Sequence, residues 1–154
     1  IALVHEKLYR SPKFANIDFA QYITDLTTHL FDTYNVNYSQ VQLKTQVDHI
    51  SLDLQTAIPC GLILNELVSN ALKYAFPDNI SGEIQVKLYS ETDWTFILMI
   101  ADNGVGLPAD FNKQKFHTLG LTLVHGLVKQ LQGRIEINTQ QGTKFKITFT
   151  KGKE

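Results

Sequence analysis

Side chains suited to binding metal and phosphate recur in one short stretch of this 154-residue chain. The stretch reads Asn65-Glu66-Leu67-Val68-Ser69-Asn70-Ala71-Leu72-Lys73-Tyr74. At about 100° per residue, its polar side chains share one helical arc of roughly 140°: Asn65, Glu66, Ser69, Asn70 and Lys73. Amide and carboxylate oxygens suit a hard cation such as Mg²⁺. A lysine one turn beyond Asn70 offers a point charge to phosphate, so the stretch predicts a metal and phosphate site.

A solvated helix face is the alternative interpretation of the same stretch, because surface helices normally carry one polar face. The two asparagines favour a binding role. The amide of asparagine competes for backbone hydrogen bonds and lowers helix propensity, so glutamate or lysine would serve solubility better. Considered alone, the helix leaves both interpretations open.

A glycine turn follows the most apolar run of the chain. The run Thr95-Phe96-Ile97-Leu98-Met99-Ile100-Ala101 ends directly in Asp102-Asn103-Gly104-Val105-Gly106. A carboxylate at a strand end, as Asp102 would be, can accept a hydrogen bond from an exocyclic amine such as that of adenine. Gly104 and Gly106 would let the backbone approach a ligand and act as a hinge. Because Asn-Gly and Asp-x-Gly are common turn sequences, a plain turn is the alternative.

A polar segment from Leu107 to about Leu119 separates this turn from the next helix, and we interpret it as a mobile lid. The helix begins near Thr118-Leu119-Gly120-Leu121, where free backbone N–H groups could bind phosphate; a structural helix cap is the alternative. No G-x-x-x-x-G-K-[ST] loop occurs, which excludes a P-loop ATPase. The turn also lacks the third glycine of a dinucleotide-binding fingerprint.

Hydrophobic periodicity predicts the elements that must position these residues. Helical spacing predicts helices over 19–34, about 57–76 and about 121–133. Alternation predicts strands near 41–47, 50–54, 84–88, 135–137 and 145–149, and the apolar run 94–100 predicts a central strand. Asn16 or Asp18 would cap the first helix, and Gly133 would close the last. The order predicts an α+β fold, an α/β sandwich with a mixed sheet and helices on one face.

Composition narrows the class of protein. Hydrophobic residues make up 44% of the chain and charged residues 19%, a balance typical of a globular domain. The net charge is -1, and no apolar run approaches the about 20 residues that span a bilayer, so we expect neither nucleic-acid nor membrane contact by this domain. The single cysteine, Cys60, fits a reducing compartment, and we expect a cytoplasmic domain. The chain starts at Ile1 in mid-pattern, so the whole protein could be membrane-anchored or soluble.

Together these motifs resemble the ATP-binding domain of the GHKL superfamily, which includes gyrase-type topoisomerases, a heat-shock chaperone, histidine kinases and mismatch-repair ATPases. Asn65-Glu66-x-x-x-Asn70-Ala71-x-Lys73-Tyr74 looks like the N box, and Asp102-x-Gly104-x-Gly106 looks like the first glycine box. Gly120-Leu121 looks like the second glycine box, and Gly142-Thr143 resembles the closing element before the last strand. The stretches 62–73, 119–124 and 3–11 are similar to sensor histidine kinases of the HisKA_2 type.

The resemblance implies a Bergerat-type ATP-binding fold and a role for each matched residue. Asp102 would bind the adenine amine, with Thr143 nearby through water. Asn70 would supply an oxygen to Mg²⁺, Asn65 and Lys73 would contact phosphates or their metal, and Glu66 would be the catalytic base. The other implied ATP-binding residues are Tyr74, Gly104, Gly106, Leu119, Gly120 and Leu121.

The implied reaction is transfer of the γ-phosphoryl of ATP to a histidine nitrogen, with catalysis mostly by positioning and charge neutralisation. Residues 1–15 would be the tail of the dimerisation and phosphotransfer helices, and residues 16–154 the catalytic domain. His5-Glu6 superficially matches an acceptor pair of another subfamily. We expect the acceptor upstream of Ile1 instead, so that this fragment alone would not autophosphorylate. The implied partners are the protein's own phosphotransfer domain and a response regulator.

Two other classes of protein remain alternatives. Another GHKL ATPase or a protein serine kinase would keep the same nucleotide site, and Glu66 could then activate water for hydrolysis. A degenerate kinase could instead serve as a non-catalytic module that binds partners. Failure to bind ATP and Mg²⁺ would favour this last alternative.

Overall fold

A computed structural model describes residues 17–34, 36, 39–77, 80–105 and 119–150. Its helices are α1 (Phe19–Thr33), α2 (Leu54–Tyr74) and α3 (Leu119–Gln130). Its strands are β1 (Ile17–Asp18), β2 (Val41–Val47), β3 (Ser51–Leu52), β4 (Gly82–Ser90), β5 (Thr95–Asp102), β6 (Arg134–Asn138) and β7 (Thr143–Thr150). Residues 1–15, the expected helical tail with His5, lie outside the described residues, as do Asn16 and the expected lid from residue 107 to residue 118.

The main sheet has five strands in the order β2-β4-β5-β7-β6. β2 and β4 are parallel, whereas β4, β5, β7 and β6 pair antiparallel, so the sheet is mixed as predicted. The apolar run predicted to be a central strand is β5, which has a neighbour on each side. Its side chains from Phe96 to Ile100 are all buried, on both faces of the sheet. β1 and β3 form a separate two-stranded ladder.

One face of the sheet packs against all three helices. On this face Phe96, Leu98 and Ile100 of β5 stand in register with the β7 residues Phe149, Ile147 and Phe145. These six side chains share one buried core with apolar residues of α1, α2 and α3. Because alternate side chains of a strand point to opposite faces, the pairing confirms a sheet covered by helices on one side. The α/β sandwich predicted from the sequence is therefore confirmed.

The start of α1 identifies one of the two candidate caps. The Asp18 carboxylate accepts a hydrogen bond from the Gln21 backbone N–H at 3.3 Å, which satisfies an amide of the first turn. The side chains that α1 buries follow helical spacing, as predicted: Phe19, Tyr22, Ile23, Leu26, Thr27, Leu30 and Phe31. This buried stripe places α1 beside α2 on the sheet.

The prediction of a strand running on to Leu54 is wrong. Only Ser51 and Leu52 are extended, and Leu54 is already the first residue of α2. The Asp53 carboxylate caps this helix by accepting a hydrogen bond from the Thr56 backbone N–H at 3.0 Å. The alternation of apolar residues at 50, 52 and 54, which predicted the strand, continues across this cap by coincidence. The aspartate was the signal that a helix starts here, three residues before the predicted start at Ala57.

The end of α3 also differs from the sequence-based prediction. The left-handed residue that closes the helix is Gln132, with φ of 55°, and not Gly133. The Gln132 N–H donates to the Lys129 carbonyl at 2.9 Å, and the Gly133 N–H donates to the Val128 carbonyl at 3.0 Å, which is a Schellman closure. A Cβ on Gly133 would overlap the carbonyl oxygen of Thr148 in β7. This glycine is therefore required for close packing on the sheet.

Helices α1 and α2 meet at a buried tyrosine. The Tyr22 hydroxyl lies against Gly61 and has no hydrogen-bond partner in the described part of the chain. Burial raises the pKa of this phenol well above its usual value, with a smaller contribution from Cys60. An unsatisfied buried hydroxyl lowers stability, because the group has lost its hydrogen bonds to water.

Replacing Tyr22 with phenylalanine is expected to raise the free energy of unfolding by about 1 kcal/mol, because the ring is kept and the unsatisfied hydroxyl is removed. Denaturant unfolding followed by circular dichroism would measure the change. Tyr89→Phe, at a half-buried position of β4, is the matched control and should change stability by less than about 0.5 kcal/mol. A loss of stability in Tyr22→Phe would mean that the hydroxyl has a partner.

Candidate active site

Asp102, the last residue of β5, points toward the helices. It follows Leu98 and Ile100 on that face of the strand and lies in register between Ile84 of β4 and Thr143 of β7. The Gly104 N–H donates to Asp102 Oδ1 at 3.0 Å, and the Thr143 N–H also donates to this carboxylate. Two backbone donors therefore hold the carboxylate in one orientation at the edge of the core.

Burial raises the pKa of the Asp102 carboxyl above its usual value, and the hydrogen bonds from Gly104 and Thr143 only partly offset this effect. A raised pKa means that the folded chain holds this proton more tightly than the unfolded chain does. The contribution of this group to stability therefore falls as pH rises from the usual carboxyl range, about 4, through the raised pKa. At neutral pH the ionised carboxylate opposes folding, which is typical of a group kept for binding or catalysis.

The turn after Asp102 is joined to the end of α2. The Val105 N–H donates to the Ala75 carbonyl oxygen at 2.9 Å. A Cβ on Gly104 would overlap the same carbonyl oxygen, so only glycine allows the turn to approach the helix this closely. This contact sets the position of Asp102 relative to the polar residues of α2.

Asn103 joins the same turn to the neighbouring strand. Its Oδ1 accepts a hydrogen bond from the Glu83 N–H at 2.7 Å, and its own N–H donates to the Glu83 carbonyl at 3.3 Å. Sequence reasoning treated Asn103 only as a turn residue. No local pattern could have identified Glu83 as the partner, because the two residues meet only through the pairing of β4 with β5.

A third backbone approach comes from the β6–β7 turn. Gly142 has φ of 75°, in the left-handed region that favours glycine. A Cβ on Gly142 would also overlap the carbonyl oxygen of Asp102. The neighbouring Thr143, predicted to lie near the nucleotide, is 5% exposed and directly opposite Asp102. Gly104 and Gly142 thus both pack closely around one end of β5.

The polar arc of α2 is not a uniformly solvated face. Asn65 is 8% exposed and Ser69 is 6% exposed, so both are buried, while Glu66 and Asn70 are half-buried. In the part of the chain that the structure describes, the side chains of Asn65, Glu66 and Asn70 make no hydrogen bond or ion pair. Buried and half-buried polar groups normally have partners, and these three side chains are exceptions. Their hydrogen-bonding groups therefore remain available to a ligand.

The last turn of α2 projects outward. Tyr74 is 65% exposed, and the Lys73 ammonium lies 5.8 Å from the centroid of the Tyr34 ring, at the end of α1. This cation–π contact was not predicted from the sequence. A lysine in this exposed position remains able to move toward a bound anion, because such a contact contributes only about 0.5–1 kcal/mol.

The remaining predicted residues lie around the start of α3. Leu119 and Gly120 are its first residues, and the Leu121 side chain is buried in the core, so this side chain could not contact a ligand. Gly106 lies outside the described residues. The described ranges contain no cluster of three His, Cys, Asp or Glu side chains able to hold a metal.

Residues 55–153 match the family described as histidine kinase-, DNA gyrase B- and HSP90-like ATPase, a range that includes every candidate site residue. The chain belongs to this ATPase family. Members of the family bind ATP, and the carboxylate, amides and glycines described above are the chain's candidate ATP site. Residues 1–34 match a second family, the histidine kinase family HisKA_2, which identifies the histidine-kinase branch proposed from the motifs.

Curated relatives of this ATPase domain are sensor histidine kinases. It is 29% identical over 103 residues to blue-light-activated histidine kinase 2 of Erythrobacter litoralis, covering 67% of this chain and 30% of that protein. It is 30% identical over 137 residues to the sensor histidine kinase PdtaS of Mycobacterium tuberculosis, covering 88% of this chain and 27% of that protein. The chain thus spans less than a third of either relative.

A solved structure has the same fold as this ATPase domain. The histidine kinase domain of a blue-light-activated histidine kinase from Erythrobacter litoralis superposes with a TM-score of 0.84 at 22% identity, over 96% of this chain and 69% of that one.

None of the helices that the structure describes has both the length and the apolar character needed to cross a bilayer.

Proposed function

We propose that this chain is the catalytic domain of a two-component sensor histidine kinase. It would bind ATP with Mg²⁺ and transfer the γ-phosphoryl to a histidine of the protein's dimerisation and phosphotransfer domain. The observation that carries the proposal is the Asp102 carboxylate, fixed by two backbone donors beside a helix whose Asn65 and Asn70 amides have no hydrogen-bond partner among the described residues. The sensor histidine kinases among its relatives support the same function.

The adenine end of ATP would be read by Asp102. An ionised carboxylate offers about four lone-pair positions, and the N–H groups of Gly104 and Thr143 use two of them. The exocyclic amine of adenine would donate to a remaining position, with Thr143 close enough to share a bridging water. Gly104 and Gly106 would form the wall of the pocket, and Tyr74 would cover its open side.

The phosphate end would lie along the polar arc of α2. Asn70 would give an oxygen to Mg²⁺, with Asn65 and Lys73 contacting phosphates or the metal. Mg²⁺ usually keeps few protein ligands and several oxygens of phosphate and water, which suits two amides without a carboxylate cluster. At the start of α3, backbone N–H groups of Leu119 and Gly120 would bind a phosphate, with Leu121 in the same first turn, because a helix N-terminus favours anions.

Catalysis would consist mainly of alignment. The acceptor histidine nitrogen forms a bond to the γ-phosphorus as the bond from that phosphorus to the bridging oxygen of ADP breaks. Glu66, half-buried beside Asn70 on the same arc, would polarise the acceptor imidazole by accepting its second N–H. Residues 16–154 would form this catalytic domain, residues 1–15 would belong to the phosphotransfer helices, and a response regulator would take the phosphoryl group next.

Removal of Mg²⁺ should weaken ATP binding by about tenfold or more, because the metal neutralises phosphate charge beside Asn70. Calorimetric titration of the chain with ATP, with Mg²⁺ and then with EDTA, would measure this. In Asn70→Ala the two titrations should give nearly equal affinities. Gln55→Ala, which removes an exposed amide at the start of α2, is the control and should keep the parental difference. No binding by the parent chain would contradict the proposal.

The reaction itself is tested with the full-length protein and γ-labelled ATP. An acid-labile, alkali-stable phosphate on histidine would support the kinase, and Asp102→Asn should abolish it. An acid-stable phosphate on a serine would identify a serine kinase instead. Release of inorganic phosphate without protein labelling would identify an ATP hydrolase, and binding without either reaction would identify a non-catalytic module.

A further inference from the structure

The second face of the main sheet, turned away from the helices, carries lysines in cross-strand register. One row across the sheet contains Lys87 of β4, Met99 of β5 and Lys146 of β7. In the neighbouring row Ala101 of β5 pairs with Lys144 of β7. We call the surface formed by Lys87, Lys144 and Lys146 the lysine face.

The three lysines of this face have no ion-pair partner among the described residues. Lys44, on the same side of the sheet, differs from them because its ammonium lies 2.9 Å from the Glu83 carboxylate. Arg134 approaches Glu136 only loosely, at 3.8 Å. Unpaired positive charge is therefore concentrated on β4 and β7, around the centre of the face.

Apolar side chains lie beneath these charges. On this face, which no helix among the described residues covers, Met99 is only 6% exposed and Ile97 only 1%. The lysine stems beside Met99 can pack over it while their ammonium groups stay in water.

A depression of about 490 Å³ lies at the β6–β7 end of the face. Lys144 and Lys146 line it together with Glu136, Asn138 and Gln140. Its volume is in the range of about 300–1,000 Å³ typical of ligand sites. The Gln140 amide can both donate and accept hydrogen bonds, as a peptide backbone requires, whereas a phosphate mainly accepts them. The Asn138 Oδ1 already accepts from the Gln140 backbone N–H at 2.9 Å, so the Asn138 amide mainly offers its NH₂ group.

The charge of the domain is divided unevenly between this side of the sheet and the rest. The described residues include seven Lys and Arg side chains and eleven Asp and Glu side chains. Five of the basic and two of the acidic side chains belong to sheet positions facing away from the helices, a net of +3. The other described residues hold two basic and nine acidic side chains, a net of -7. Among the described residues, this side of the sheet would therefore attract an acidic ligand more strongly than the rest does.

We propose that the lysine face docks an extended acidic segment of another protein, with its carboxylates on Lys87, Lys144 and Lys146 and its backbone against Asn138 and Gln140. The two carboxylates among these cations, Glu83 and Glu136, disfavour a continuous run of phosphates, so an acidic protein segment fits better than nucleic acid or lipid. Asp102 points to the opposite side of the sheet, so docking leaves the proposed ATP site open.

A synthetic peptide of alternating glutamate and alanine is the probe for this surface. Added to the isotope-labelled chain at low salt, it should shift amide resonances of β4, β6 and β7, and its affinity should fall as salt rises. Lys87→Glu and Lys146→Glu should each weaken binding by about fivefold. Lys129→Glu, the same charge change at an exposed position of α3, is the control and should weaken it by less than about twofold. ATP titration of each variant would verify its fold independently.

Several results would overturn this proposal. Peptide-induced shifts confined to the helices, or equal losses in Lys129→Glu and Lys146→Glu, would show that binding depends only on net charge. If duplex DNA or phosphatidylserine vesicles bind the same lysines more tightly than the acidic peptide does, the ligand of this face would be a polyphosphate or a membrane and not a protein segment. If the chain dimerises and Lys146→Glu abolishes the dimer, the occupant of the face would be a second copy of the chain. If no probe binds, the lysine face would not be a docking site.

Discussion

Asparagine in place of Asp102 is expected to weaken ATP binding by about 100-fold, while the folded chain keeps or gains stability. Asparagine has nearly the same shape but only one side-chain oxygen. The Gly104 N–H, the Thr143 N–H and the adenine amine would all need to donate to this group. In the variant at least one donor would meet the NH₂ group and remain unsatisfied, which costs about 1–3 kcal/mol.

The expected stability of Asp102→Asn follows from the raised pKa of Asp102. At neutral pH the parent must keep an ionised carboxylate in a half-buried position, and the neutral amide removes this cost. As pH falls through the raised pKa of the folded chain toward the usual carboxyl value, about 4, the parent carboxyl becomes protonated and the advantage of the variant should disappear. Thermal unfolding of both chains between neutral and acidic pH would measure the difference.

Asp48→Asn is the matched control, because Asp48 is exposed in the polar stretch after β2. It should leave both ATP affinity and the pH dependence of stability close to those of the parent. Parental ATP affinity in Asp102→Asn would contradict the adenine role. A parallel loss of stability and binding at neutral pH would instead make Asp102 a structural residue.

Gly104→Ala is expected to have the second largest effect and to lower both stability and ATP affinity. The added methyl would overlap the Ala75 carbonyl oxygen, which also accepts the Val105 N–H at 2.9 Å. Relief of this overlap requires the turn to move away from α2, which breaks that hydrogen bond and shifts Asp102. Overpacking of this kind costs about 1–3 kcal/mol. Denaturant unfolding and calorimetric titration would measure the two losses.

Gly126→Ala provides a control of opposite sign. Gly126 lies within α3, and a Cβ placed on it meets no atom within 4 Å. Alanine has higher helix propensity than glycine, so this variant should gain up to about 1 kcal/mol. Equal stability of Gly104→Ala and the parent would show that the turn can move without cost. It would then give no support to a fixed distance between Asp102 and α2.

Local patterns predicted the elements of this domain well where period and length were unambiguous. Apolar residues at helical spacing correctly predicted α1 and α2 as helices on one side of the sheet. The continuous apolar run correctly predicted β5 as a central strand. Short elements were predicted less well, since Leu54 was assigned to a strand and is the first residue of α2. A period of two residues over five positions also fits an aspartate-capped helix start, and only the hydrogen bond from Thr56 to Asp53 decides between them.

Candidate site residues were identified from their types, because binding chemistry leaves a mark on composition. Two asparagines in a helix are poor choices for folding alone, so they stand out. The aspartate stands out because it ends an apolar strand, although Asp-x-Gly is also a common turn sequence. Their supporting contacts leave no such mark. Asn103 bonds to Glu83 and Lys73 lies over Tyr34, and in each pair the partners are brought together by strand pairing or helix packing.

The sequence by itself determined that this chain is an α/β sandwich with the motifs of a GHKL ATP site on one helix and one turn. Periodicity and motif spacing are local properties, so they can be recognised before folding. The tertiary structure decided how these parts meet: Gly104 against Ala75, Gly142 against Asp102, and Lys87 in register with Lys146 on the outer face. Such contacts depend on strand register and backbone approach between distant segments, which no local pattern encodes.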